Sequence, residues 1–329
     1  MPIWLIILIS ILGGLLFLAV LAYLIVELAF AKTYYKRGDG MNCIRYYHKE
    51  EFPNLITEKI SFESGKNILH GYIYKDKNIK EYKAVILLTH GIGFGHNYHL
   101  TLINEIAKAG YIVVAYDFTA SGISEGRRIK SMTQGILDNE KALKFVTTNE
   151  ELKKYPLYLM GHSWGGYVAL TSLSYTYKIE KVVSFCGFNS EIDMFVTANG
   201  LMKILKPFVV LRNFFHYGKY SRLSAYKAMK NTDAKVLYIQ GENDVVVKKE
   251  ISSSLFKTID NKNIRVEVLK DKGHSPMFSI EDEKEQATML SNFGMLGGVE
   301  IEPTLNIDYR KISEIDPDIS KLVIEFLDN

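Results

Sequence analysis

The sequence is poor in cysteine and nearly balanced in charge. It holds two cysteines in 329 residues, Cys43 and Cys186, which lie far apart and belong to no CxxC or other metal-ligand spacing. A disulfide framework and a zinc site are therefore not expected. The formal net charge of +3 is too small for the basic face that a nucleic acid would require, so we expect no nucleic-acid partner.

Internal repeats and low-complexity tracts are also lacking, whereas apolar residues are abundant. Hydrophobic residues make up 47% of the chain and charged residues 23%. A chain of this length and composition can bury a sizeable core, so we expect one large folded domain with appendages rather than a disordered protein.

The N-terminus carries a long segment without charge, from Ile3 to Val26. At about 1.5 Å per helical residue, this segment exceeds the roughly 30 Å hydrocarbon core of a bilayer. Residues 1–31 are therefore predicted to form a transmembrane anchor. The alternative is a cleaved signal peptide, because Ala29 to Ala31 resemble a small-residue cleavage site, but the apolar run is long and no basic residue precedes it.

Basic residues follow this segment, whereas only the α-amino group precedes it. They are Lys32, Lys36, Arg37 and Arg45. By the positive-inside rule, the rest of the chain is predicted to lie in the cytoplasm. Residues 32–59 show no sustained hydrophobic period and are interpreted as a juxtamembrane connector.

Strand-like apolar runs then alternate with helical segments. A hairpin is predicted from Ile60 to Tyr74, and six further strands are predicted at residues 84–90, 111–117, 157–161, 181–186, 235–241 and 264–269. Most of these runs are continuously apolar, as expected of strands covered on both faces. Helical segments such as Leu100 to Ala109 lie between them. The alternation predicts an α/β domain over residues 60–329 with a mostly parallel central sheet.

Two segments interrupt this alternation. Residues 187–232 lie between two predicted strands and are rich in apolar helix formers, so they are interpreted as an inserted helical cap. Residues 281–316 form a second insertion, which is longer than most connections in compact domains. Such a length suggests that the second insertion has a purpose of its own.

The motif Gly161-His162-Ser163-Trp164-Gly165 follows one predicted strand and precedes a helical segment. A strand, Gly-X-Ser-X-Gly and a helix together form the pattern of a nucleophile elbow, in which the serine lies at a sharp, strained turn. A side chain at Gly161 or Gly165 would collide with the neighbouring strand and helix. The turn also places Ser163 at a helix N-terminus, where free amides favour a developing oxyanion.

The sequence from about residue 60 to 329 resembles the α/β-hydrolase fold family, and within it the monoacylglycerol lipase and serine aminopeptidase branch. In "YIQGENDVVV", Asp244 matches the acid turn of this family, and in "DKGHSP" His274 matches its Gly-His loop. The family requires the order Ser, Asp, His, which is present here. The resemblance implies an α/β-hydrolase fold with a helical cap inserted before the strand that carries the acid.

The resemblance also implies a role for each of these residues. Ser163 would attack a carbonyl carbon, His274 would act as general base and acid, and Asp244 would orient the imidazole. The backbone amides of Trp164 and of Ile92, in the loop "HGIGFG", would hold the oxyanion. No metal and no cofactor is expected.

Other residues have both a functional and a structural interpretation. His90, His96 and His99 form a possible metal cluster, but packing around the oxyanion loop is the simpler interpretation. Asp117 resembles the family aspartate that orders a turn rather than a catalytic group. Glu242 is a possible substitute acid that stands two residues before Asp244.

Together these features predict a membrane-anchored serine hydrolase that cleaves carboxylic esters. An apolar cap beside an anchor favours lipid-derived substrates such as monoacylglycerols or lysophospholipids. One alternative is an aminopeptidase-like amide hydrolase, in which Glu191 or Asp193 of the cap would bind the α-ammonium group of the substrate. Another is a catalytically silent, membrane-tethered binding module.

Overall fold

An eight-stranded β-sheet forms the centre of the molecule in a computed structural model that describes residues 1–38, 44–45, 49–198, 200–293, 307–308 and 312–329. Its strands are β1 (Leu55–Ser64), β2 (Asn67–Asp76), β3 (Val85–Thr89), β4 (Ile112–Tyr116), β5 (Leu157–His162), β6 (Ile179–Phe185), β7 (Lys235–Gly241) and β8 (Ile264–Leu269). Their spatial order is β1-β2-β4-β3-β5-β6-β7-β8. Within this sheet only β2 runs against the others, which confirms the predicted mostly parallel sheet.

The continuously apolar runs of the sequence form strands whose two faces are both covered. Every residue of β3, β4 and β5 is buried, whereas β1 at the edge of the sheet is only partly buried. The hairpin begins at Leu55, five residues before the predicted start at Ile60, so its first residues lie in the segment interpreted as a connector.

Helices cover both faces of the sheet. They are α1 (Ile3–Tyr34), α2 (Leu100–Lys108), α3 (Thr133–Thr148), α4 (Trp164–Thr171), α5 (Glu191–Ala198), α6 (Gly200–Ile204), α7 (Lys206–Tyr217), α8 (Ala225–Lys230), α9 (Ser253–Phe256), α10 (Ile280–Phe293) and α11 (Pro317–Asp328). A separate pair of two-residue strands, Ile44–Arg45 and Ile307–Asp308, runs parallel. One core packs α3, α4 and the cap against one face of the sheet, and a second packs α2 and α11 against the other.

Helix α1 is long and apolar enough to cross a membrane. Most of its apolar side chains are exposed, but near its C-terminal end Val26 and Phe30 are completely buried and Tyr34 nearly so. The ring of Phe30 lies 4.0 Å from that of Phe195 in α5, measured between centroids. The helix therefore extends beyond the predicted anchor of residues 1–31. Its last turns belong to the core of the α/β domain that follows it, which we call the body.

The segment after α1 is bonded to the loop that precedes α3. Backbone hydrogen bonds join Lys130 N to Tyr34 O (3.1 Å), Ile129 N to Lys36 O (3.0 Å) and Gly38 N to Ala120 O (2.8 Å). The Arg37 guanidinium also donates to the carbonyls of Gly122 and Ser124. These bonds fix the direction in which α1 leaves the body.

The C-terminal helix α11 closes the second core with Ile319, Val323 and Leu327. Its last turn is held by polar side chains of the body. Lys181 Nζ donates to Leu327 O (2.6 Å), Lys83 Nζ and the Tyr111 hydroxyl both bind Asp328 (2.6 Å each), and Lys235 Nζ donates to Asn329 O (2.6 Å).

Both predicted insertions correspond to segments outside the sheet. The cap, predicted at residues 187–232, contains α5 to α8 between β6 and β7. The second insertion, predicted at 281–316, contains nearly all of α10, and its residues 294–306 and 309–311 lie outside the described residues. Both segments adjoin the edge of the sheet at which the parallel strands end.

Candidate active site

Ser163 lies at a strained turn between β5 and α4. Its φ of +56° is in the left-handed region, which a residue other than glycine rarely adopts. A Cβ atom on Gly161 would overlap the Gly165 carbonyl, and one on Gly165 would overlap the carbonyl of Thr89 in β3. The two glycines therefore let strand and helix approach closely enough to form the elbow, as the sequence predicts.

The three residues of the predicted catalytic triad lie in one hydrogen-bonded row. His274 Nε2 is 2.9 Å from Ser163 Oγ, and His274 Nδ1 is 3.0 and 3.1 Å from the two carboxylate oxygens of Asp244. The three residues follow β5, β7 and β8, whose carboxyl ends meet at one edge of the sheet. The structure thus brings together groups that are more than 100 positions apart in the sequence.

The environment of Asp244 favours its ionised form. Burial by itself raises the pKa of this carboxyl, but His274 beside it and the backbone N–H of Val247 together lower the pKa to about 2. Oδ1 accepts from the N–H groups of Val246 and Val247, both at 2.9 Å. An ionised Asp244 accepts a hydrogen bond from His274 Nδ1–H, which keeps the proton on Nδ1 and leaves Nε2 free to take the proton of Ser163. Glu242, the possible substitute acid, is exposed and Asp244 holds the imidazole instead.

The loop predicted to form the oxyanion site lies against the elbow. A Cβ atom on Gly91 would be 3.6 Å from the Cβ of Ser163, so Ile92 follows a residue that nearly touches the nucleophile. Trp164 is the first residue of α4, and a first-turn amide has no acceptor within its own helix. Its indole Nε1 donates to Met132 O at 2.7 Å, which fixes the side chain away from the site. The oxyanion role of these two amides stays a prediction.

Two residues to which the sequence analysis gave no role in the site lie beside the triad. Glu283 of α10 accepts from the backbone N–H groups on either side of His274, those of Gly273 (2.7 Å) and Ser275 (2.5 Å). The free thiol of Cys186 directly follows β6, and its sulfur lies within 4.8 Å of ligand atoms of Asp244 and His274. Such a set of atoms can hold a metal ion, but here the carboxylate and the imidazole bind each other.

The three histidines of the possible metal cluster have different environments. His90 lies between Gly91 O (2.6 Å) and the N–H of Phe118 (3.0 Å), and burial lowers its pKa. His96 Nδ1 binds Asp117 at 2.7 Å. His99 is buried with both ring nitrogens unpaired, and its pKa is well below the usual value because of burial. Among the described residues they do not bring three ligand atoms together, so packing is the better interpretation.

Asp117 orders the turn that follows β4. Its carboxylate accepts from the backbone N–H groups of His96 (2.6 Å) and Ile123 (2.9 Å). Burial raises the pKa of this carboxyl, but the charge and hydrogen bonds of His96 outweigh that effect and lower it to about 2. In the described part of the chain, the Asp117 carboxylate bonds to the loop residues His96 and Ile123 and not to Ser163.

The acidic residues considered for recognition of an ammonium group are already bonded. Glu191 is buried and accepts five hydrogen bonds, from Ser131 Oγ (2.6 Å), Met132 N (2.7 Å), Thr133 N (3.3 Å), Thr133 Oγ1 (2.6 Å) and Asn213 Nδ2 (3.2 Å). Asp193 accepts from Asn189 Nδ2 (2.6 Å) and Ser190 Oγ (2.7 Å). Both carboxylates therefore fasten the cap to the body or to itself.

The cap also contains a cavity of about 400 Å³. Its apolar wall is formed by Ile192, Pro207, Val210, Leu211, Phe214 and Leu223. Its polar wall comprises Asn189, Ser190, Ser221, Arg222 and Ser224. No residue of the triad lines this cavity, whose nearest lining residues along the chain, Asn189 and Ser190, belong to the loop that follows β6.

Comparisons with known proteins agree with this architecture. Residues 80–216 match the family described as Serine aminopeptidase, S33, and a search of curated proteins found no match. An esterase of Pyrococcus furiosus is similar in structure, with a TM-score of 0.56 and 19% identity over 80% of this chain and 100% of the esterase. An acylaminoacyl peptidase of Pyrococcus horikoshii has a TM-score of 0.54 and 19% identity over 80% of this chain and 45% of the peptidase.

The family match extends from just before β3 to the end of α7, and the structural likeness to the Pyrococcus furiosus esterase covers 80% of the chain. The predicted resemblance and the predicted fold class are both confirmed. The chain is a protein of the α/β-hydrolase fold whose residues 80–216 carry the sequence pattern of the S33 serine aminopeptidase family.

Proposed function

We propose that the chain is a membrane-anchored serine hydrolase that cleaves carboxylic esters through an acyl-enzyme. The observation that carries the proposal is the row of hydrogen bonds from Ser163 Oγ through the His274 imidazole to Asp244. Ser163 attacks the carbonyl carbon as His274 Nε2 takes the hydroxyl proton, and the same proton then goes to the departing alkoxide. Water, activated by His274, attacks the acyl-enzyme and releases the acid.

The negative charge of the tetrahedral intermediate needs donors that are in place before the reaction. We assign the backbone amides of Trp164 and Ile92 to this role, since one begins α4 and the other belongs to the loop beside the elbow. Each such donor typically contributes about 10²–10³ in kcat. The strained turn at Ser163 supports this role because it fixes the hydroxyl relative to the first amide of the helix.

Lipid-derived esters, such as monoacylglycerols or lysophospholipids, are the proposed substrates. The apolar wall of the cap cavity and the apolar helix α1 support this choice. Burial of each further methylene of an acyl chain contributes about 0.8 kcal/mol where an apolar pocket receives it. Hydrolysis rates for a series of esters should therefore rise with chain length up to the length of the pocket.

The aminopeptidase alternative lacks a free acidic group among the residues considered for it. Recognition of an α-ammonium group needs a carboxylate with unused acceptor capacity, whereas Glu191 and Asp193 accept bonds from their own chain. We therefore favour esters over peptides. A silent binding module is the remaining alternative, and it predicts no covalent labelling of Ser163.

Anchoring by α1 is part of the proposal, with the body in the cytoplasm. Cleavage after Ala31 would remove Val26 and Phe30 from the core, which argues against a cleaved signal peptide. A reporter that fluoresces only in the cytoplasm, fused after Asn329 through a linker, should be bright. An active external reporter at the same position, with a dark cytoplasmic one, would reverse the orientation.

A fluorophosphonate probe tests the chemistry directly. The native protein should be labelled, and Ser163→Ala should lose both labelling and ester hydrolysis. Asp244→Asn and His274→Ala should lower hydrolysis by orders of magnitude while the fold is retained. Ser61→Ala, at an exposed position of β1, is the control and should behave as the native protein. Persistent labelling of Ser163→Ala would refute the assignment of the nucleophile.

A further inference from the structure

Helix α7 exposes large apolar side chains, while its inner side buries two polar side chains together with Val209. Four large apolar residues point outward, Val210 (44% exposed), Leu211 (42%), Phe214 (42%) and Phe215 (67%). The charged Arg212 and the polar Asn213 point inward and are 0% and 1% exposed. A helix at a water-facing surface shows the opposite arrangement. The spacing makes the outward residues one continuous stripe along the helix.

The stripe is continuous with α1. The ring of Phe215 lies 6.5 Å from that of Tyr23, in an edge-on arrangement. Tyr23 belongs to the uncharged segment that ends at Val26, so it lies about 5 Å inside the end of that segment along the helix axis. An interfacial helix buries its apolar face about 5–10 Å into a bilayer. Phe215 is therefore at the depth that such a helix reaches.

Ionic contacts hold α7 in this position against α1. Glu27, the first charged residue after the uncharged segment, binds Arg212 Nε at 3.3 Å and His216 Nε2 at 2.8 Å. The Arg212 guanidinium also lies 3.8 Å from the centre of the Phe30 ring. Arg212 and His216 of α7 thus bind α1. The stripe lies on the other side of α7, where Val210, Leu211 and Phe214 also line the cap cavity and Phe215 is the most exposed.

We propose that the outward face of α7 is a second membrane contact, inserted into the same leaflet that α1 leaves. This inference rests on the proposed anchoring by α1. A lipid bilayer fits the surface because the stripe begins beside the transmembrane-length helix and is apolar along its whole length. Two further apolar residues of the neighbouring helix α6, Leu201 and Ile204, are 58% and 77% exposed and enlarge the surface.

Basic residues border the apolar surface at both ends of α7. Lys203 and Lys206 lie before it, and Lys219 and Arg222 follow it. Basic side chains beside an apolar face bind anionic headgroups, at about 1 kcal/mol for each residue near the surface. Residues 34–38 are hydrogen-bonded to the loop before α3, so α1 is not a flexible tether. Membrane contact through α1 and through α7 therefore fixes how the body faces the membrane.

A fluorescence experiment with the full chain in vesicles of phosphatidylcholine and phosphatidylglycerol tests the proposal. An environment-sensitive label is attached to Phe215→Cys in a Cys43→Ser background, while Cys186 is buried and stays in place. Lipids with a nitroxide on the acyl chain serve as quenchers. Leu18→Cys in α1 reports the anchor, and Lys178→Cys, exposed in the loop before β6, reports the far side of the body.

The proposal predicts blue-shifted emission and quenching at position 215, quenching at 18 and neither at 178. Quenching at 18 with water-like emission at 215 would overturn the second contact while leaving the anchor intact. A blue shift at 215 without quenching would mean that protein, such as a second copy of the chain, covers the stripe, and would also overturn it. Without quenching at 18, both the anchor and this inference fail.

A functional variant separates membrane contact from catalysis. Phe215 does not line the cap cavity, so Phe215→Ser should leave hydrolysis of a short soluble ester unchanged. Hydrolysis of a long-chain ester presented in vesicles should fall several-fold, since the cap is no longer held at the lipid surface. Val245 is also an exposed apolar residue outside the stripe, but it adjoins Asp244, so Val245→Ser is unsuitable as a control. Ile56→Ser on β1 is the matched control and should keep both rates, whereas equal rates for Phe215→Ser and the native protein on vesicles would contradict the proposal.

Discussion

Replacement of Glu191 distinguishes a structural from a substrate-binding role for the most deeply buried acid of the cap. Its five donors come from the loop before α3, from the start of α3 and from α7, so the carboxylate joins cap and body. Glu191→Ala leaves these donors without their acceptor. Each unpaired buried donor lowers the free energy of unfolding by about 1–3 kcal/mol. Removal of one partner from a buried charged network lowers it by about 3–5 kcal/mol in total, because water and structural relaxation compensate some of the donors.

The effect is measurable as a shift in thermal unfolding of the purified protein in detergent. At about 2 °C for each kcal/mol in a domain of this size, the melting temperature should fall by roughly 6–10 °C. Glu191→Gln keeps one acceptor oxygen and should lose less. Glu58→Ala, at an exposed position of β1, should change the unfolding free energy by less than about 0.5 kcal/mol.

Enzyme kinetics complete the distinction. If Glu191 is structural, the ratio of kcat/KM for an ester to that for an amide with a free α-amine should be the same in Glu191→Gln and in the native protein. An unchanged melting temperature together with selective loss of amide hydrolysis would refute our reasoning. That result would also revive the aminopeptidase alternative.

Three further predictions concern the elbow, the histidine loop and acid stability. Gly165→Ala should abolish fluorophosphonate labelling or folding, since its methyl group overlaps the Thr89 carbonyl; a normally labelled variant would contradict the packing. Glu283→Ala should lower kcat about 10-fold or more by freeing the loop around His274, with Gln restoring much of it if bonding to the loop is the cause. Asp117 has a native pKa of about 2 against an ordinary 3.8, so it stabilises the fold above pH 4 and this stabilisation is lost as the pH falls towards 2. In denaturant titrations across that range, Asp117→Asn should reduce the pH dependence by about 2 kcal/mol.

The sheet and the position of the candidate site could be predicted because both depend on local patterns. Continuous apolar runs indicated strands covered on both faces, and the observed bounds of β3 to β8 differ from the predicted ones by at most two residues. Parallel strands end at one edge, so Ser163, Asp244 and His274, each following a strand, had to lie near one another. The distances between their side-chain atoms depend on the conformations of the loops that follow these strands.

Other features depend on partners that no local pattern reveals. Phe30 looked like the last part of an anchor, but its burial depends on Phe195 in the cap. The apolar residues of α7 were interpreted in part as packing on the core, whereas the helix turns Arg212 and Asn213 inward because Glu27 and Glu191 accept from them. Glu283 had no motif, although its place at the start of the second insertion suggests why that segment follows the histidine loop.

The packing of α11 against the sheet affects when the protein can fold during its synthesis. Helix α11 completes one core and the last turns of α1 contribute to the other, so each core contains a helix from outside the central sheet region. Because domains generally fold as units during synthesis, the body cannot finish folding until α11 has left the ribosome. During that interval the sheet face that α11 covers is open to solvent. We expect a chain stopped at residue 316 to be degraded by protease far faster than the full chain, because the apolar residues that pack against Ile319, Val323 and Leu327 would be exposed.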